Sequence, residues 1–209
     1  MAGTDSMNAC CTNQTPGKAA AKLREWLAAG ARKRLVLRRE DFADKQFSLS
    51  ELLFSGPWRE RLPQRWRSFC VWMARYTPFS GWKTFWFRRA GVSIGNNVFF
   101  SPGAEIDLLF PQLVTLEDGA VMGLGALIVA HVYTPDRITI GRATVKRGGL
   151  VGGRAILAMT SIGEESVLGA SSVASRPIPD GTTAIGVPAV RQKRKVRTAR
   201  EKKENDNRP

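Results

Sequence analysis

The chain has 209 residues, 43% of them hydrophobic, with 20 glycines and a formal net charge of +14. That length and composition suit one sizeable buried core with extensions and exclude a wholly disordered chain. No stretch reaches the roughly 18 apolar residues of a membrane span, and the first thirty residues lack the apolar centre of a signal peptide, so a cytoplasmic protein is the expectation.

The charge is unevenly placed. Residues 1–89 carry +10, residues 90–190 carry −2 and residues 191–209 carry +6. A nucleic-acid binder would concentrate basic residues around a readout motif, whereas here the central region is near neutral and only its flanks are basic. No specific nucleic-acid partner is expected. Cys10, Cys11 and Cys70 form neither a paired framework nor a CxxC spacing, which points to reduced thiols and no metal site.

In chain order, residues 1–20 are small and polar and read as a disordered leader. Residues 21–90 read as a basic, aromatic-rich helical extension. Leu23, Trp26, Leu27, Ala31, Leu35 and Val36 stand at helical spacing between Ala19 and Arg39, and Ser48 is a candidate N-cap for a short helix to Phe54. Five of the six tryptophans lie between Trp58 and Arg89 among arginines, with helix breaks expected near Thr77-Pro78 and Ser80-Gly81. This stretch reads as a cap over one end of the following domain, and also as a face for peripheral membrane contact through residues 58–89.

From Ile94 a six-residue period takes over. Ile94, Phe100 and Ile106 are six apart, as are Leu116, Met122 and Ile128, then Val145, Val151 and Leu157, then Ile162, Leu168 and Ala174. Small Ala120 and Ala126 fall at the fifth place of their steps. Such a period fits neither a helix nor an alternating strand, but it fits a β-helix whose flat faces are one step long. Three steps make a turn, so Ile106 and Ile128 should stack. The ten-residue step from Ile106 to Leu116 should push four residues out as a loop, the stretch Thr134-Pro135-Asp136-Arg137 reads as a turn-rich excursion, and the five-residue step from Leu157 to Ile162 implies an irregular corner near Ala158 to Ser161. IPDGTTAIGVPAV should close the solenoid, giving a mainly β domain over residues 91–190. Residues 191–209 form a basic tail.

The motifs IGNNVFFSPGAEID, PQLVTLEDGAVMGLGALIVAH, SIGEESVLGASSVASRPIP and GVPAV resemble the hexapeptide-repeat acyltransferases, in particular the maltose, galactoside and polysaccharide O-acetyltransferase branch. The resemblance covers about half the chain. It implies a left-handed parallel β-helix, a homotrimer, and acetyl-CoA as co-substrate in a groove between subunits. It also implies that His131, the only histidine, is the general base, that Asp107, Glu105 and Tyr133 face the acceptor, and that Gly152, Gly153, Ala170, Ser175, Arg176 and Lys193 meet the cofactor. The acceptor implied is a sugar or a surface-polysaccharide precursor.

The chemistry of the residues agrees with that implication. Transfer of an acyl group from a thioester to a hydroxyl requires removal of the hydroxyl proton, which an imidazole does at neutral pH for a gain of about 10² to 10⁴-fold. A backbone N–H in a solenoid turn is a suitable donor to the developing oxyanion, and no metal is needed because thioesters are already activated. Stacking of Ile106 on Ile128 puts Asp107 within one strand spacing, roughly 5 Å, of Val129 and so near His131. Asp107 also suits a turn carboxylate that only accepts backbone N–H groups, and the basic Arg176 and Lys193 also suit solvated surface. A zinc-dependent carbonic anhydrase on this fold would need three histidines. The competing functions are a sugar N-acyltransferase of the same fold and a non-catalytic scaffold or nucleic-acid-binding protein using the basic flanks.

Overall fold

A computed structural model describes residues 18–42 and 58–192. Helix α1 (Lys18–Ala28) buries Ala19, Ala20 and Leu23. It ends where Gly30 and Ala31 take left-handed backbone angles, φ 82° and 52°. The chain then reverses into strand β1 (Leu35–Arg38), with Leu37 fully buried. The helix expected as far as Arg39 is thus corrected to a helix, a left-handed turn and a strand. The turn lets the alternating Leu35, Val36 and Leu37 pair with a distant strand rather than with the preceding helical turn.

Helices α2 (Trp58–Tyr76) and α3 (Ser80–Arg89) follow. The break falls at Thr77 to Phe79; Ser80 and Gly81 open α3 instead of interrupting it. The leader's last three residues belong to α1, and the short helix expected over Ser48 to Phe54 lies outside the described residues.

The rest is a triangular parallel β-helix. Its first turn is β2 (Ser93–Ile94), β3 (Phe99–Phe100) and β4 (Glu105–Ile106), and the second is β5 (Val114–Leu116), β6 (Val121–Met122) and β7 (Leu127–Val129). A hairpin of β8 (His131–Thr134) and β9 (Arg137–Ile140) leaves the third corner. The third turn is β10 (Ala143–Val145), β11 (Leu150–Val151) and β12 (Ile156–Ala158), and the fourth is β13 (Ser161–Ile162), β14 (Val167–Leu168) and β15 (Val173–Ala174). β16 (Thr183–Ile185) continues the second face, and β17 (Val190–Arg191) folds back antiparallel to it.

The three faces stack the periodic residues in register. Ile94, Leu116, Val145 and Ile162 form one column, Phe100, Met122, Val151, Leu168 and Ala184 a second, and Ile106, Ile128, Leu157 and Ala174 the third. Stacked backbones leave no room for side chains at some corners. A Cβ on Gly152 would stand 2.6 Å from both the Ala170 nitrogen and the Leu168 oxygen. Gly152→Ala is therefore expected to destabilise the protein by about 2–3 kcal/mol, read as a fall in the thermal unfolding midpoint.

Helix α3 closes the first end of the coil. Phe87 packs on Phe100 with ring centroids 5.1 Å apart. The buried Lys83 ammonium donates to the carbonyls of Ala74 at 2.8 Å and Ala104 at 3.4 Å, tying both helices to the coil. Burial pushes the Lys83 pKa down, against the opposing pull of Glu105.

Three irregular segments interrupt the period where the sequence leaves it. Of the extra residues after Ile106, Leu108 projects outward and is exposed, whereas Phe110, Pro111 and Leu113 are buried and a short 3-10 turn spans Pro111–Leu113. The excursion after His131 is an ordered hairpin that β1 joins as a third antiparallel strand, Leu37 opposite Ile138. The short step before Ile162 is taken up at Met159, φ 49°.

Candidate active site

Asp107 and His131 leave successive turns at the same corner. Their strands are held in register by Ile106 over Ile128, and the Asp107 amide donates to the Ile128 carbonyl at 2.9 Å. The Asp107 side chain is fully buried, and each carboxylate oxygen has two partners. Oδ1 accepts the amides of Leu109 at 2.8 Å and Phe110 at 2.9 Å; Oδ2 accepts the Ala130 amide at 2.7 Å and meets His131 Nδ1 at 2.6 Å. The turn-carboxylate reading and the partner-of-histidine reading therefore both hold for this one residue.

Burial alone would raise the Asp107 pKa. The His131 hydrogen bond and charge, with the Phe110 and Ala130 amides, outweigh it and hold the carboxyl below its usual range. An ionised carboxylate can only accept, so Nδ1 is the protonated nitrogen and the lone pair of the neutral ring lies on Nε2. The imidazole is 17% exposed. Phe110 stands edge-on to it at 5.6 Å and Tyr133 at 5.1 Å, so two aromatic rings fix its plane. The Tyr133 phenol is pushed up to about 12 by burial and by the Asp107 charge, so it is a neutral hydrogen-bonding group at any working pH.

Helix α2 fixes the loop that carries the carboxylate. Gln64 Nε2 donates to the Leu109 carbonyl at 2.6 Å and the Ser68 hydroxyl to the Leu108 carbonyl at 3.2 Å. Glu105 is near in sequence but is engaged elsewhere, in an ion pair with Arg75 at 3.3 Å.

The residues expected at the cofactor divide between two corners. Gly152, Gly153 and Ala170 lie on the corner between the second and third faces, and Ser175 and Arg176 lie beyond β15 on the corner that carries His131. Gly152 is buried under the next turn, which corrects its reading as a lining residue; Ala170, Ser175 and Arg176 are exposed. Lys193 lies outside the described residues. Phe110, Gln64 and Ser68 were not anticipated, and neither was Arg34, whose guanidinium donates to the carbonyls of Met159 at 3.0 Å and Ser175 at 2.8 Å. Only Phe110 had a signal, an aromatic residue inside the overlong step.

A triangular hexapeptide coil with a buried carboxylate and a histidine at its looped corner has the left-handed β-helix fold of solved hexapeptide-repeat acetyltransferases. Comparison with known proteins supports the fold. The chain is 28% identical over 120 residues to a protein of Bacillus subtilis named putative acetyltransferase YvoF, covering 56% of this chain and 70% of that protein. A hexapeptide-repeat acetyltransferase of Vibrio cholerae, solved with acetyl coenzyme A, matches with a TM-score of 0.56 and 14% identity over 66% of this chain and 90% of that one. A maltose O-acetyltransferase of Clostridium difficile matches with a TM-score of 0.51 and 17% identity over 70% and 97%. These structural likenesses speak to the fold. No protein-family model matches the chain.

Proposed function

We propose that this protein is an acetyl-CoA-dependent O-acetyltransferase acting on a sugar hydroxyl, with His131 as general base. The observation that carries the reading is the Asp107–His131 pair, with the carboxylate fully buried and the imidazole 17% exposed, at the looped corner of a hexapeptide coil. Acetyl-CoA supplies the activated acyl group. Nε2 takes the hydroxyl proton as the acceptor oxygen bonds to the thioester carbon; the carbon–sulfur bond then breaks, and the proton returns to the departing thiolate. The negative Asp107 stabilises the imidazolium that exists between those two events.

Direct transfer fits the residues present. Cys70, the only described cysteine, is buried in α2 and burial raises its thiol pKa, so it offers no nucleophile for an acyl-enzyme. Ala170, Ser175 and Arg176 are accessible to a bound nucleotide thioester, and Arg176 can meet its phosphates. Tyr133, a neutral phenol beside the imidazole, is placed to orient the acceptor. Assembly as a homotrimer completes the proposal by placing a second subunit against the third face.

The test is thiol release from acetyl-CoA by the purified protein across a panel of free sugars, amino sugars and nucleotide sugars, with mass analysis of the products. A sugar-dependent rate with a hydroxylamine-labile acetyl ester is the expected result. A hydroxylamine-stable amide would shift the assignment to N-acylation, and absence of any acceptor-dependent release would refute the transferase reading.

A further inference from the structure

The cap helices present an uncovered aromatic face. On α2, Trp66, Phe69, Trp72 and Tyr76 follow at intervals of three or four and share one side. Trp82 and Phe85 do the same on α3. All six are between 44% and 68% exposed, and Phe79 between the helices is 69% exposed. The rings touch in series: Trp66 to Phe69 at 5.8 Å, Phe69 to Trp72 at 6.3 Å and Trp72 to Tyr76 at 5.1 Å. Phe69 also meets Trp86 edge-on at 6.3 Å, and Trp86 meets Phe85 at 5.3 Å, so the two helices form one continuous plate. An exposed apolar patch of this kind marks an interaction surface.

Its charge identifies the partner. From Leu62 to Arg89 the chain has six Lys or Arg and no Asp or Glu; of these Lys83 is buried and Arg75 pairs with Glu105, leaving four other arginines. Helical spacing places Arg65 within the α2 stripe, and the Arg89 guanidinium lies 5.3 Å over the Phe85 ring. Tryptophan and tyrosine rings with cations among them favour the headgroup layer of an anionic bilayer, where the ring body meets acyl chains and the arginines meet phosphates. Among the described residues no helix is long and apolar enough to cross a membrane, so the contact is with the surface.

We infer that the α2–α3 plate docks this protein on an anionic lipid surface. Docking and the candidate site share one helix. Gln64 and Ser68, which hold the loop carrying Asp107, alternate along α2 with the plate residues Trp66 and Phe69. Where the acetyltransferase reading applies, the acceptor is then a sugar carried on a membrane lipid, delivered at the bilayer surface.

The binding inference is tested without turnover. Full-length protein is sedimented with vesicles of 30% phosphatidylglycerol in phosphatidylcholine and with phosphatidylcholine alone, and tryptophan emission is followed with brominated lipids. The wild type should pellet at least tenfold better with the anionic vesicles, with emission shifted to the blue and quenched by bromine. Substituting Trp66, Trp72 and Trp82 together by serine should reduce binding more than tenfold, and Arg65→Glu with Arg89→Glu should cost at least about fivefold per position. Quenching in the wild type serves as the readout if the triple variant does not fold. The inference fails if the wild type stays in the supernatant. It also fails if the variants bind like wild type without quenching, which would assign binding to the basic tail. Loss of an oligomer in the serine variant, with no vesicle binding by wild type, would make the plate a contact between copies.

Discussion

Replacing His131 by alanine is expected to lower acetyl transfer by roughly 10² to 10⁴-fold while leaving the unfolding midpoint within a few degrees of wild type. The two effects separate because of how Asp107 is held. Alanine removes the carboxylate's one side-chain partner among the described residues, but the amides of Leu109, Phe110 and Ala130 continue to satisfy it. The stability cost is therefore that of one hydrogen bond from a partly exposed ring, about 1 kcal/mol, and not that of an orphaned buried charge. Rates are compared under single-turnover conditions with a sugar that the wild type accepts, alongside a thermal melt. A rate within a few-fold of wild type would remove His131 as the base, and a collapse of the melt would show that the residue is structural.

The sequence exposed the coil because a parallel β-helix repeats its demands. Every third step must deliver an apolar side chain to the same column, so Ile106, Ile128, Leu157 and Ala174 can be aligned by counting. The same counting located Asp107 beside the segment that carries His131, since both follow stacked residues by a short interval. Counting fails where the chain leaves the period. Phe110 reaches His131 from inside an overlong step whose path depends on burial against α2. β1 was hidden because its partner Ile138 lies about a hundred residues away and its own residues fit helical spacing equally well. Arg34, bonded to Met159 and Ser175 across 125 and 141 residues, has no local signal at all. Gly152 was assigned to the cofactor by resemblance, whereas its surroundings explain the missing side chain through the close approach of the next turn.

Asp107→Asn should reduce transfer nearly as much as loss of His131, by roughly 10²-fold or more, and should destabilise the fold more than His131→Ala does. The carbonyl oxygen of an asparagine could still accept the Leu109 and Phe110 amides. Its NH₂ group would then face the Ala130 amide and His131 Nδ1, where the carboxylate now accepts from both. The Ala130 N–H would be left facing a donor in a buried position, at a cost of about 1–3 kcal/mol. The imidazole can accept from the NH₂ only through Nδ1, which moves its proton to Nε2 and removes the lone pair needed by the acceptor hydroxyl. The variant should therefore be slow because the wrong nitrogen is protonated, even with the ring still seated between Phe110 and Tyr133. The pH dependence of stability provides a separate check. The folded pKa of Asp107 lies below the unfolded value, so its contribution is full above the unfolded value of about 3.9 and is lost as pH falls through the folded value. The gap in melting temperature between wild type and Asp107→Asn should then be constant above about pH 5 and narrow as the solution is acidified below about pH 4. A gap independent of pH across that range, or an Asp107→Asn enzyme as fast as wild type, would show that the carboxylate charge neither stabilises this corner nor sets the histidine.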